Sequence, residues 1–227
     1  MTLKSEEIKE RNALHDAAKS SQDSEKIERI LKDGASIESR DWEQKTALHY
    51  AAHYNPNLAV IDALLNAGAD VNAQDRNGTT PLMGAARNNP NVNVLVGLLK
   101  AGAEVNAQDC RGRTPLMWAA MHNTHPEVID ALVEAGADVN PQDKRGYTPL
   151  IHATSSNSNA DMIYRLLKAG ATVTSQDSDG RVLMLAALHR GNSEVIATLL
   201  KAVAEAPAKR AEAEDGTFRR QDGNSVH

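Results

Sequence analysis

Aromatic residues are scarce in this chain: they make up 3% of it, with a single phenylalanine. That rules out a core centred on large rings and suits one of Leu, Ile, Val and Ala between closely packed helices. Cysteine is scarcer still. Cys110 is the one cysteine of 227 residues, so no internal disulfide framework is available, and the chain reads as a soluble protein of a reducing compartment. No apolar run approaches the roughly 18 residues of a membrane span. The opening Met1-Thr2-Leu3-Lys4-Ser5-Glu6-Glu7 lacks the apolar stretch of a signal peptide. A cytoplasmic location is therefore expected. Positive charge is not in excess either: the net charge of −5 argues against a generic polyanion binder. The glycines never form Gly-x-x-x-x-Gly-Lys, so no phosphate loop is present.

What the sequence does have is a period. Thr46, Thr80, Thr114 and Thr148 recur 34 residues apart, and Leu14, Leu48, Leu82, Leu116 and Leu150 keep the same step. So do Gly34, Gly68, Gly102, Gly136 and Gly170, each followed by Ala. A fixed period of this size means stacked supersecondary units. The stretch from Gly112 to Asn140 shows what one unit contains. Thr114 is suited to a helix N-cap and Pro115 to the first helical position, where its missing N–H goes unused. Leu116, Ala119 and Ala120 form one apolar face. After a polar break, Thr124 and Glu127 have the spacing of a capping box for a second helix, whose apolar face is Val128, Ile129, Leu132 and Val133. Gly136 then stops that helix in the left-handed conformation. Neither helix can bury its face alone.

Thr46-Ala47-Leu48-His49-Tyr50-Ala51, with Thr-Pro-Leu-Met in the next two copies and Thr148-Pro149-Leu150-Ile151 after them, resembles the ankyrin-repeat signature Thr-Pro-Leu-His-x-Ala. The resemblance covers about residues 12 to 201 and implies an all-α fold, an α-solenoid of stacked helix–turn–helix units with projecting turn tips. Six units are expected over residues 12–204, starting near 12, 46, 80, 114, 148 and 182, after a polar lead over 1–11 and before a disordered tail over 205–227. The step is one residue longer than the usual period of about 33. The extra residue falls between the helices, in Asn55-Pro56-Asn57, Asn89-Pro90-Asn91 and Thr124-His125-Pro126, which predicts a longer inter-helix loop with the stack unchanged. Val71, Val105 and Val139 are expected to plug the layer below the helices. Asp75, Asp109 and Asp143, each three residues before a glycine, are expected to start Asx-type turns. The polar fifth unit, in which Ala153-Thr154 replaces Ala-Ala, reads as weaker. The sixth, with Val182-Leu183-Met184 and no glycine stop, reads as a cap.

Chemistry is thinly represented. The resemblance gives His15 and His49 a structural role, their rings bonding within and between neighbouring units. His53, His122 and His189 lie on different units and do not make a metal site, which needs several ligands on one ion; His125 is expected in solvent and His152 half-buried. Cys110 lies beside Arg111 and Arg113 on an exposed turn, with no orienting pair that would make it a catalytic nucleophile. Trp118 is expected to pack between units. No catalytic residue, cofactor or metal is predicted.

In the family the concave side, built from first helices and turn tips, binds other proteins. Carried onto this sequence, that side contains Trp42, Lys45, Tyr54, Arg76, Arg87, Arg111, Arg113, His122, Lys144, Arg145, Tyr147, Arg181 and Arg190. The second helices instead carry Asp62, Glu127, Asp130, Glu134, Asp161 and Glu194. The expectation is a monomeric, non-catalytic scaffold whose basic side receives an acidic protein surface, with Trp42, Tyr54 and Tyr147 as anchors. Two alternatives are nucleic-acid binding through the basic tips, which the net charge disfavours, and a regulatory subunit of an enzyme.

Overall fold

Threonine hydroxyls start the first helices and glycines stop the second ones. The structure, a computed structural model, describes residues 13–157 and 159–172, together with position 197. Residues 13–20 are helical (α1), followed by α2 (Ser24–Lys32), α3 (Ala47–Tyr54), α4 (Leu58–Asn66), α5 (Pro81–Asn88), α6 (Val92–Lys100), α7 (Pro115–His122), α8 (Glu127–Glu134), α9 (Pro149–Ser156) and α10 (Ala160–Lys168). The described residues contain no strand. Thr80, Thr114 and Thr148 accept from the N–H three residues on, with Pro81, Pro115 and Pro149 at the first helical position. At the other end Gly68 takes φ 88° and Ala69 N–H reaches back to Leu64 O at 3.1 Å. Residues with a Cβ resist that backbone.

First helices pack on first helices (α3 on α5, α5 on α7, α7 on α9) and second helices on second helices (α2 on α4, through to α8 on α10). The result is two layers of short helices with one continuous core between them. Leu48, Leu82, Leu116 and Leu150 line it from the first helices, and Ile61, Leu64, Leu95, Leu98, Ile129 and Leu132 from the second; none is more than 1% exposed. Val71, Val105 and Val139 pack against this core while partly buried. The chain is thus an all-α solenoid.

The loop between the helices differs from the expectation in two ways. Thr124 and Glu127 form no capping box: α8 begins behind Pro126, which makes no side-chain cap, and the Thr124 hydroxyl lies near His125 Nδ1 at 3.4 Å instead. The cause is local. Asn57, Asn91 and Asn159 cap α4, α6 and α10, but His125 stands in that register and α8 starts one residue later, behind Pro126.

The second difference is larger. Asn55, Asn89, Asn123 and Asn157, which read as part of an interruption, are buried. Asn89 Nδ2 donates to Ala52 O at 2.8 Å and Asn55 O at 2.9 Å, and its Oδ1 accepts from Asn91 N–H at 2.9 Å. Asn55 Nδ2 donates to Ala18 O and Ser21 O, Asn123 Nδ2 to Ala86 O, and Asn157 Nδ2 to Asn123 O. Ala18, Ala52 and Ala86 lie in last turns of first helices, where carbonyls lack an intrahelical partner. An asparagine from the next unit satisfies them. The extra residue of the period belongs to this ladder rather than to a slack loop. The fifth unit's polar stretch serves it too, and the buried Thr154 hydroxyl donates to Leu150 O at 3.1 Å and Ile151 O at 3.0 Å.

Asn89→Ala is therefore expected to cost about 3 kcal/mol, at about 1 kcal/mol for each of three bonds. Asn91→Ala, at a half-buried cap, should cost about 1 kcal/mol. Urea unfolding of the two variants checks the order; equal losses would remove the buried ladder from the account.

Candidate functional site

The turns between units set out the candidate surface. Asp41, Asp75, Asp109 and Asp143 each accept two backbone N–H groups on Oδ1, from the residues two and four positions on, at 2.8 and 2.9 Å. These are the predicted Asx turns, and Asp41 extends the series by one. Gly78 and Gly112 (φ 72° and 76°) complete two of them, and a Cβ at either would sit 3.2 Å from a backbone nitrogen of the next tip. Gln44 holds the same register at φ 64° without being glycine. Successive tips are joined: Arg76 N–H donates to Glu43 O, Cys110 N–H to Asn77 O and Lys144 N–H to Arg111 O, at 2.8 to 3.0 Å. The tips thus form a bonded row, not independent fingers.

Behind this row, along α3, α5 and α7, runs a groove of about 460 Å3. Its wall holds Lys45, Tyr54, Arg87, Arg111, Arg113 and His122 of the predicted residues, and also His49, Tyr50, His53, Asp75, Cys110 and Trp118. A second groove of about 330 Å3 lies further along, with Arg111, Arg113, Lys144 and Arg145 in its lining. Trp42, Arg76 and Tyr147 line neither. Trp42 is 71% exposed, with the Arg76 guanidinium 5.9 Å from its ring centroid and Arg76 Nη2 donating to Trp42 O at 2.6 Å. Tyr147 packs against the core and lies edge-on to His152 at 5.7 Å. Arg181 and Arg190 lie outside the described residues, as do His189, the sixth unit apart from position 197, and the tail.

Not every cation on this surface is available in the same way. Arg113 clamps Asp109 Oδ2 through Nε at 2.8 Å and Nη2 at 2.7 Å, with its guanidinium 3.9 Å from the Trp118 ring centroid. Arg87 covers the same ring at 5.2 Å. Trp118 is buried as expected, but among Met83 and Ala107 beneath these two guanidinium groups. Arg113 thus builds the wall, while Arg87, Arg111, Lys144 and Arg145 are exposed on it. On the second helices Asp62, Glu127, Glu134 and Asp161 are exposed, and Asp130 is ion-paired with Arg165; Glu194 lies outside the described residues.

The histidines supply little charge. His49 Nδ1 accepts from Thr46 N–H at 3.2 Å and its Nε2 donates to Thr79 O at 2.9 Å, so one ring bonds within its unit and to the next. His15 Nε2 donates to Ser39 O at 3.0 Å. Burial pushes the His53 imidazole down to about 4, with the Arg87 guanidinium adding to the effect. Burial also lowers His122, helped by Arg87 and Arg113. His152 is buried more fully than its predicted half-burial. Burial lowers it too, outweighing its contact with Asp143, so a neutral ring donates to Asp143 Oδ2 at 3.0 Å. Burial disfavours the Asp41 carboxylate, but the Tyr50 hydroxyl and the turn N–H groups outweigh it and hold Asp41 below its ordinary value. At neutral pH the positive charge of this face comes from arginine and lysine.

A sequence pattern also points to one feature that the motif reading missed. The residue nine positions after each turn aspartate is Tyr50, Gly84, Trp118 and His152 in turn. The first groove opens where this residue is glycine. Among the described residues no group of three or more His, Cys, Asp or Glu side chains is placed to hold a metal ion, and no helix is long and apolar enough to cross a membrane.

Imidazoles that are harder to protonate in the folded chain contribute stability above the ordinary histidine value of about 6.5. That contribution is lost as pH falls from there towards the His53 value of about 4. Denaturation midpoints should drop between pH 7 and about pH 5, and His53→Gln should flatten part of the drop. Parallel curves for the two proteins would exclude His53 as a source.

No curated protein matches this sequence. The family model for ankyrin repeats, taken three copies at a time, matches residues 2–75, 48–143, 82–177 and 137–210. Those overlapping matches agree with the capped helix pairs, the glycine stops and the bonded turn tips: the chain belongs to the ankyrin-repeat family.

Proposed function

We propose that the chain is a non-catalytic scaffold that binds an acidic surface of another protein through its concave face, formed by the first helices and turn tips. Ankyrin repeats are in general protein–protein interaction modules. The observation that supports the finer reading is the charge arrangement. Exposed Arg87, Arg111, Lys144 and Arg145 border two adjoining grooves, while exposed Asp62, Glu127, Glu134 and Asp161 lie on the second helices. Four exposed cations grouped around two adjoining grooves draw an acidic partner to that side, even on a chain of net charge −5. Arg181 and Arg190 would continue the row into the sixth unit.

Arg111→Glu with Arg145→Glu is the test. Both side chains are exposed, and neither side chain forms a hydrogen bond or ion pair with another described residue. Thermal unfolding should therefore stay within about 0.5 kcal/mol of the parent. Quantitative pull-down with mass spectrometry should show the captured acidic proteins depleted at least tenfold. Unaltered capture would place the binding surface elsewhere. Capture dominated by nucleic acid, with affinity falling steeply as salt rises, would favour polyanion binding instead.

A further inference from the structure

Asp41, Asp109 and Asp143 use both carboxylate oxygens, while at Asp75 the second is left without a donor among the described residues. Oδ1 always takes the two turn N–H groups. Oδ2 is served differently each time. Tyr50 OH donates to Asp41 Oδ2 at 2.6 Å, His152 Nε2 to Asp143 Oδ2 at 3.0 Å, and beside Trp118 the Arg113 guanidinium takes Asp109 Oδ2. At Asp75 the corresponding residues are Gly84, which has no side chain, and Thr79, which gives its backbone N–H to Oδ1. Among the described residues no donor reaches Asp75 Oδ2, although Asp75 is only 8% exposed and lines the first groove. A carboxylate oxygen held this way beside a groove is completed by a donor from outside.

The surroundings decide which donor. Arg87 and Arg111 line the same groove and repel a lysine or arginine from a partner, while Lys45 and Arg113 there are already paired with Glu43 and Asp109. A neutral donor on a ring meets no such penalty. Tyr50 and Trp118, the residues in the same register on the units either side of Gly84, also line the groove, with the Trp118 ring beneath the Arg87 and Arg113 guanidinium groups. One unit earlier the chain itself fills this place with a phenol. We infer that the gap at Gly84 receives the tyrosine side chain of an acidic segment of the partner protein. Its hydroxyl donates to Asp75 Oδ2 as Tyr50 does to Asp41, and its flanking carboxylates meet Arg87 and Arg111. This rests on the acidic-partner reading and gives it a specific anchor. A Cβ at Gly84 would come no closer than 3.4 Å to its nearest neighbour, His53 Cβ, which is van der Waals contact.

The experiment titrates the full chain at low salt with three peptides, acetyl-Glu-Asp-Glu-X-Glu-Asp-Glu-amide with X as Tyr, Phe or Ala, read by backbone amide shifts. The tyrosine peptide should bind about tenfold more tightly than the phenylalanine one, the equivalent of about 1.4 kcal/mol for one hydrogen bond to a carboxylate. Gly84→Tyr, which fills the gap from within, should bring the tyrosine peptide down to the affinity of the alanine one, with helical circular dichroism unchanged. Equal binding of all three peptides to the parent chain overturns the tyrosine pocket and leaves the acidic-partner reading standing. No binding by any of them overturns both. A phosphotyrosine peptide that binds more tightly than the tyrosine one also overturns the proposal, since its phosphate would face the Asp75 carboxylate. The comparison of peptides on the parent chain decides the matter whether or not Gly84→Tyr folds.

Discussion

Helices of eight or nine residues leave a large share of their backbone carbonyls beyond the reach of their own hydrogen-bond ladder. A second helix solves this with a glycine in the left-handed conformation, which folds the chain back onto its last turn. A first helix cannot, because its C-cap residues Asn55, Asn89, Asn123 and Asn157 are extended. Its carbonyls wait for the asparagine of the following unit. Asn72, Asn106 and Asn140 do related service on the other side, donating to Gly102 O, Gly136 O and Gly170 O and accepting from the N–H of Glu104, Asp138 and Thr172. Each unit is therefore incomplete in its polar groups as well as in its apolar face. Stacking is a requirement of the backbone, and the array behaves as a sum of local and neighbour terms.

The parts of this design that act within a few residues were legible in the sequence. Thr114 and Pro115 start a helix and Gly136 stops one by local chemistry, and periodicity alone placed Leu116 and Leu132 on buried faces. The asparagine ladder was written in the same register four times, yet it read as an interruption. The partners of Asn89 lie 37 and 34 residues away on another unit, and local spacing carries no trace of such a bond. The false capping box at Thr124 is the reverse case: the local motif is there, but α8 begins behind Pro126, out of its register. Arg113 shows a third limit. Its place on the binding side was read from the repeat register, but that it braces Asp109 and covers Trp118 depends on what the neighbouring tip and helix present.

The candidate surface follows from the same division of labour. The aspartate of each turn is constant because it closes the turn through two N–H groups, and bonds between tips lock the row in place. The residue nine positions on closes nothing in the backbone, so it varies: tyrosine, glycine, tryptophan, histidine. Variation there alters the surface while leaving the stack intact. The arginines above Trp118 stay charged throughout the neutral range because a guanidinium does not titrate there, while burial keeps the neighbouring imidazoles uncharged.

In the proposed function, two kinds of recognition separate along the surface. The exposed cations act over several ångströms and set which class of surface approaches; they are screened by salt and tolerant of sequence. The proposed pocket at Gly84 would act only at contact. Its selectivity comes from a carboxylate oxygen already fixed by the turn, so little ordering is required when a donor arrives. A missing side chain in a repeating row is in this sense more specific than a protruding one. The rest of the row defines the shape, the depth and the hydrogen bond that any visitor must reproduce.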